Sequence, residues 1–539
     1  MSIPSSAAFQ AAADATVNDV TFGLLVAWDK IYEGTATFFQ IGTSAIEGND
    51  FIKGAGEDVT FFDKYNFQEE TGHVNDISIT RMSSVTPFGV FSAQADVELD
   101  NTDKRYIPGF DPTIGSFVNK NRRPIKISAG FDGENLQQFV GFTDRPRTSL
   151  MGQKLTMHAY DVIDYFTNVE TPVKSYEGYY FHEIIADILT ELGFSSSQYD
   201  LEVSLQTAPG FVTMSGMTVA QVFQKICEAE QGVIFADEQG IIHFWNRQHY
   251  AGLGFDGPAA EYDYTNLVDL EWSDTPIINW VIVNAKPRAI AAMQPVYQLA
   301  NSVEIKAGQT ITLPVQFEDD DGPLPVTSIM DPVYIADRDD LNRSYYETNE
   351  AQDGTGAPGN VFITMTDISL VGDVAFVEFS NTAAYSVYIT GMEIHGTPAK
   401  VTDRITVESK DADSIEKYGI NPESNNGEPI EINNDWIQDA ATAQSLASLQ
   451  VDQYADPEQQ LAGTVFGDPS HQYGDVVTLR VDDIEVDPRY AVVVGSELKM
   501  NMGKILHQKL VFEYREALLF QQFFTIESSQ IGGLDAIAP

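Results

Sequence analysis

In Ala93-Gln-Ala-Asp-Val-Glu-Leu-Asp100 the apolar residues Ala93, Ala95, Val97 and Leu99 alternate strictly with polar neighbours, the period-two signature of a half-buried strand. The same alternation returns along the chain. Val361, Ile363 and Met365 share one face, as do Val477, Leu479 and Val481, and Leu510, Phe512 and Tyr514, with Gly, Asp, Asn and Pro clusters between the runs. Short alternating runs separated by turn residues predict a mainly β, multidomain chain built of antiparallel sheets.

Three stretches change period. From Phe181 to Gly193 the residues Phe181, Ile184, Ile185, Ile188, Leu189 and Leu192 fall at helical spacing, and Gly193 suits a C-terminal stop. A second helix is predicted to start at Thr218, which with Gln221 makes a capping-box pattern, and to bury Val219, Val222, Phe223 and Ile226 before Gly232. It leads into a hairpin, Val233 to Ala236 and Ile241 to Trp245, turning at Asp237-Glu-Gln-Gly240. A third helix, about 435–454, places Trp436, Ala440, Ala443, Ala447, Val451 and Tyr454 on one face before Asp456-Pro457. Between Ala300 and Val401 lies a strand-rich block with an acidic turn at Glu318–Gly322, the pattern of an inserted β-sandwich.

At 539 residues the chain has room for about three to five domains. Its 79 Asp and Glu against 31 Lys and Arg give a formal charge of -48, which disfavours any broad surface that grips nucleic-acid phosphates. The single cysteine, Cys227, permits no internal disulfide, and its place on the buried side of the second helix reads as a structural thiol. No apolar run approaches the length needed to cross a bilayer and the N-terminus lacks a secretory pattern, so a soluble, unexported protein is expected.

Candidate chemistry is scarce. His182-Glu183 opens like a zinc-protease helix, but the position that needs the second histidine is Ala186. Gly354-Thr-Gly-Ala-Pro-Gly359 spells a dinucleotide fingerprint without the preceding strand or following helix, so a loop is expected. Asp319-Asp-Asp-Gly322 lacks the spaced ligands of a calcium loop and reads as a solvated turn. No catalytic constellation, metal set or cofactor site emerges; no enzyme is expected. One segment runs against the acidic background: from Lys104 to Lys154 nine basic residues stand against four acidic ones. Within it Lys120, Arg122, Arg123, Lys126, Arg145 and Arg147 are either scattered loop charges or a contact for an acidic surface of a neighbouring copy.

Ala95-Asp-Val-Glu-Leu-Asp-Asn-Thr-Asp-Lys-Arg-Tyr106 resembles a segment of the tail hub (minor tail or baseplate hub) proteins of long-tailed bacteriophages. Its diagnostic positions are Leu99, Asp100, Asn101, Asp103, Arg105 and Tyr106. They are followed in order by Arg123-Pro124 on a returning strand, Gly141 in the next hairpin, and Gly474-Asp475 in a later strand turn. Val222–Gly232 is similar to that family's helix-hairpin, and Gly391–Pro398 to the end of its inserted sandwich.

The resemblance implies an arm at 1–20, a first tube-like β-barrel at 21–170, a small α/β domain at 171–255, and a second barrel split into 256–299 and 403–516. The second barrel would be interrupted by the sandwich at 300–402 and followed by a tail at 517–539. It also implies a homotrimer whose six barrels adapt a six-fold tail tube to a three-fold tip in the virion, closing or opening the channel for DNA ejection. The implied partners are the tail tube or distal tail protein, the tape-measure protein and the tip or receptor-binding proteins used in host attachment. DNA would pass without specific binding, as an acidic lumen wall would ensure. The alternatives are a cell-wall-degrading tip enzyme, or a carbohydrate-binding host-recognition protein using Tyr345, Tyr346, Tyr385 or Tyr388 of the inserted block to stack on sugars.

Overall fold

The computed structural model describes residues 3–514 apart from 14–19, 29–64, 66, 83–87, 108–109, 111–113, 115–121, 145, 149–152, 173, 177, 206–210, 250–258, 264–266, 275, 321, 336–342, 360, 423–424, 426, 457–458, 482–485 and 502–505. The chain is mainly β and multidomain. Its buried side chains fall into four clusters: the first β unit, the α/β unit, the inserted sandwich and a last β unit.

The alternation at Ala93–Asp100 produces strand Gln94–Asp100, with Ala95, Val97 and Leu99 buried and the residues between them facing outward. It lies between Val74–Met82 and Lys154–Tyr160, followed outward by Glu134–Thr143, Arg123–Phe131 and Val20–Val26. In the last unit, Leu267–Asp274, Gln459–Phe466, Leu506–Tyr514 and Val486–Asn501 are antiparallel neighbours. The 16-residue strand Val486–Asn501 joins the units. Its first half pairs with Val476–Val481, and its second half pairs, residue for residue, with Val74–Met82 of the first unit. A register shift at Val493–Gly495 lets the strand change direction between its two sets of partners.

The result is one 14-stranded sheet running through both β units. Among the described residues none of the sheets closes into a barrel; the long path is open, ending at Leu267–Asp274 on one side and at Val20–Val26 with Gln68–Glu69 on the other.

The first two predicted helices form where their periodicity places them. Phe181–Glu191 buries Phe181, Ile184, Ile185, Ile188 and Leu189, and Val219–Glu230 is capped by Thr218, whose hydroxyl accepts from the Gln221 amide while Gln221 Oε1 accepts from the Thr218 amide. The third begins later than expected, at Ala440. Asp439 caps it, and the Asn434 side chain holds Trp436 in a turn so that the indole stacks on Phe181. This helix and the small sheet of Ile405–Lys410, Trp280–Ala285 and Ile430–Ile432 share a core with the α/β unit, although the sequence reading assigns these residues to the second barrel. Apolar periodicity reveals that a face is buried and not which neighbour buries it.

The inserted block packs a seven-stranded sheet organised by Val387–Val401 against a three-stranded sheet. Val361, expected on a strand face, precedes strand Ile363–Val371 and is 76% exposed. Tyr345 and Tyr346 are buried in strand Tyr345–Asn349, so they offer no open ring to a sugar; Tyr385 is exposed and donates to Glu350.

Candidate functional site

The residues that carry the resemblance assemble around one buried carboxylate. Leu99 fills the first core. Asp100 accepts from the amide and hydroxyl of Thr102, and Asp103 from the amide of Arg105, closing a tight acidic turn. Asn101 Oδ1 accepts from the Tyr106 amide at 2.9 Å, which aims the Tyr106 ring inward. There Glu70, 0% exposed, accepts from Tyr106 Oη at 2.6 Å, Arg105 Nη2 at 2.9 Å and Trp28 Nε1 at 2.8 Å. Burial, and then the Glu70 charge, push the Tyr106 phenol upward and keep it a donor. Glu70 and Trp28 have no recognisable pattern in the sequence, since a pair of acids before Thr71-Gly72 looks like an ordinary turn.

The other diagnostic positions also hold backbone geometry. The carbonyl of buried Pro124 accepts from the Ala27 amide. A Cβ on Gly141 would sit 2.2 Å from the Tyr160 carbonyl, so only glycine allows this crossing of strands. Gly474 has φ of +86° and its amide donates to Val493, while buried Asp475 accepts from the Gln472 amide through its side chain and from Val493 through its carbonyl.

A second polar centre links three units. Arg81 of the first β unit pairs with Glu238 at 3.1 Å and donates to the Gln138 carbonyl at 2.6 Å. Glu238 lies in the hairpin turn of the α/β unit and is buried. It also accepts from Gln472 of the last β unit through its side chain and from Gln137 through its carbonyl. Burial pushes the Glu238 carboxyl up, Arg81 opposing. Beside this centre Tyr473 packs on Phe235, Trp245 and Phe91.

The first β unit meets the α/β unit at Asp161, which accepts from the Ala93 amide at 2.6 Å, Ser92 Oγ at 2.8 Å and the Ile163 amide at 3.0 Å. Burial pushes its carboxyl up to about 6 against these donors. A carboxyl raised by folding binds its proton more tightly in the folded state, so its contribution to stability is greatest at acid pH and falls as pH rises from about 4 to about 6. The expected size is about 3 kcal/mol across that window. Hydrogen exchange of wild type and Asp161→Asn between pH 4 and pH 8, corrected for intrinsic rates and read on peptides 89–100 and 161–169, checks it: the variant should lose protection less steeply, and equal slopes would refute the assignment.

Of the basic segment, Lys120 and Arg145 lie outside the described residues. Arg122 sits over the Tyr165 ring at 5.3 Å and Lys126 over Phe67 at 4.9 Å; Arg123 leads its strand, and Arg147 is exposed on a short strand paired with Lys154–Tyr160. Lys126, three positions along the strand from Arg123, falls on the opposite face. At the far end of the sheet, strand Leu267–Asp274 presents exposed Asp269 and Glu271 on one face, with Val268, 58% exposed, bulging between Leu267 and Asp269. Its outer edge has no strand partner among the described residues, and neither has the outer edge of Val20–Gly23.

His182 Nδ1 accepts from the Ser204 amide and the His182 amide donates to Ser204 Oγ, a clasp at the helix start. The Gly354–Gly359 segment is a loop whose carbonyls at Gly354 and Gly356 accept from Asn349. Cys227 is buried, with its thiol pushed up by burial. Among the described residues no group of three His, Cys, Asp or Glu is placed to hold a metal ion, and no helix is long and apolar enough to cross a membrane.

No family model matches the sequence, and no curated protein does. Solved structures similar to the chain include a tail protein from Neisseria meningitidis MC58 and the 43 kDa tail protein of prophage MuSo2 from Shewanella oneidensis. Each is 9% identical, with a TM-score of 0.44, over 84% of this chain and 95% of that one. Prophage tail protein gp18 from Listeria monocytogenes EGD-e is 10% identical with a TM-score of 0.37, over 85% of this chain and 93% of that one.

Proposed function

We propose that the chain is a structural, non-enzymatic tail hub at the distal end of a phage tail tube, assembling as a homotrimeric ring around a channel through which DNA passes. The observation that carries this reading is the edge-to-edge union of two β units into one sheet whose end strands have an unpaired outer edge among the described residues. Unpaired strand edges favour pairing with another chain, and pairing of one end with the other end of the next copy is a head-to-tail contact that closes into a ring if the rotation allows. Two β units per copy then give three copies a six-unit ring, the arrangement implied by the sequence resemblance. The order of diagnostic motifs supports it, as does their structural use: they hold turns and strand crossings rather than a reaction centre. The tube, tape-measure and tip proteins implied by the resemblance are the proposed partners, in the virion.

Charge favours a direction for the copy-to-copy contact. Asp269 and Glu271 mark one end of the sheet, and Arg123 and Lys126 lie on the strand paired with Val20–Val26 at the other, with Lys120, Arg122, Arg145 and Arg147 in the same stretch of sequence. Reversing Asp269 alone, Asp269→Lys, which leaves the Glu271–Lys509 pair at 3.1 Å intact, is expected to weaken assembly several-fold, since the charge loses attraction and gains repulsion. Wild-type assembly should also weaken as salt rises. Mass measurement at graded concentration and ionic strength reads both effects. Assembly of the reversed variant at wild-type strength would remove this contact.

The reading as a whole is tested by electron microscopy and mass determination of the purified chain. Particles at three times 59.5 kDa with a central opening are expected; monomers throughout the micromolar range, and no ring on tails, would overturn it.

A further inference from the structure

The inserted sandwich has a carboxylate at its root that nothing above employs. Asp373 sits at the tip of the hairpin between Ile363–Val371 and Val374–Asn381, reached through Gly372 at φ of +63°. It is 0% exposed, and neither carboxylate oxygen is met by a well-aligned donor. Its backbone is fixed: the Asp373 carbonyl accepts from the Phe317 amide at 2.7 Å and the Gly372 carbonyl from the Val326 amide at 2.9 Å, which pins the tip under the Phe317–Val326 segment.

Three groups face the carboxyl, each from a different element. Glu318, in the short hairpin Glu318–Asp319 with Gly322–Pro323, is a like charge. Arg288, in the strand by which the chain enters the insert, is an opposite charge, but its guanidinium is already committed to the Ala399 and Pro323 carbonyls. The third, the Ser215 hydroxyl, comes from outside the insert, in the Met214–Met217 turn of the α/β unit. The carboxyl thus lies where the insert enters and leaves the body of the protein and where it touches the α/β unit.

A buried carboxylate with so little donor support is costly when charged and tolerable when neutral. We propose that Asp373 is a proton-operated latch: protonated, it lets the inserted sandwich seat against the Ser215 turn of the α/β unit, and ionised, it drives that seat open toward water. Direction follows from burial, which pushes the carboxyl up to about 6, with Glu318 adding to the rise and Arg288 opposing it. The seated state therefore holds the proton more tightly than an opened state, where the carboxyl regains its ordinary value near 4. Seating is favoured below about pH 4, weakens as pH rises toward 6, and levels off above it, an overall change on the order of a hundredfold. The inference is independent of the tail-hub reading, since it concerns two units of one chain.

Hydrogen exchange of the full-length protein at pH 4.5 and pH 8, corrected for intrinsic exchange rates, tests it without any substitution. Peptides covering 212–218, 317–326 and 371–374 should lose protection at least about tenfold at the higher pH. Peptides 387–394 and 506–512, in the insert core and the last β unit and away from the Asp161 junction, serve as controls. Asp373→Asn, which stays neutral, should keep 317–326 and 371–374 equally protected at both pH values; Asp373→Ala, which fills less space, should show less protection than Asp373→Asn at pH 4.5. Unchanged protection of wild type across the range, or Asp373→Asn tracking wild type, would overturn the latch.

Discussion

Glu70→Ala is expected to destabilise the first β unit by about 3–5 kcal/mol, because one carboxylate serves three buried or half-buried donors. Its removal leaves the Trp28 indole N–H, the Tyr106 hydroxyl and an Arg105 nitrogen without their acceptor, each costing more than the net worth of its bond. The Asp100–Tyr106 turn then loses the anchor that holds it under strand Gln94–Asp100. Glu70→Gln should cost less, since its single carbonyl oxygen still accepts. Hydrogen exchange resolved to peptides 20–28 and 94–106 is the suitable readout, as a chain of several units has no single unfolding free energy. A loss below about 1 kcal/mol would show that the carboxylate is dispensable.

The second large effect lies at the meeting point of three units. Arg81→Ala removes the cation beside buried Glu238 and is expected to cost about 3–5 kcal/mol at pH 8, because the carboxylate is left desolvated and uncompensated. Burial already pushes Glu238 upward against Arg81, so without that guanidinium it rises further and the neutral form is favoured more. The penalty should therefore shrink as pH falls from 8 to 5. The double change Arg81→Met with Glu238→Leu should recover much of the loss, since a packed apolar pair is often no worse than a buried ion pair. Hydrogen exchange of the four chains at both pH values, resolved to peptides 76–82 and 233–245, reads the cycle. A penalty independent of pH would mean that Arg81 acts only through its bond to the Gln138 carbonyl.

The sequence reveals local structure well where the signal is local. Thr218 with Gln221 marks a helix start because the cap is made within one turn of chain, and Ala93 to Leu99 marks a strand because its own alternation decides which side is buried. What it conceals is partnership. Val74–Met82 reads as an ordinary strand, and nothing in it points to Val486–Asn501 as its neighbour, because backbone pairing is almost blind to side-chain identity. The diagnostic run ending in Arg105-Tyr106 is visible as a motif, while its acceptor Glu70, 35 positions before Arg105, is not. Glu238 was hidden differently: a turn rich in Asp, Glu, Gln and Gly looks solvent-facing until another unit covers it. Tyr345 and Tyr346 show the same limit, since an aromatic strand residue looks alike whether its ring packs inward or outward.

The long joining strand also sets a timetable for biosynthesis. Val74–Met82 leaves the ribosome roughly 400 residues before the segment that completes it, and loop closure over such a span is slow beside the pairing of hairpin neighbours. Until translation nears its end, the nascent chain carries an incomplete sheet margin that a second unfinished chain can match as well as its own remainder. Crowding of polysomes, slow codons between the two segments, and scarcity of holding chaperones should therefore govern the yield of this protein more strongly than its final stability does.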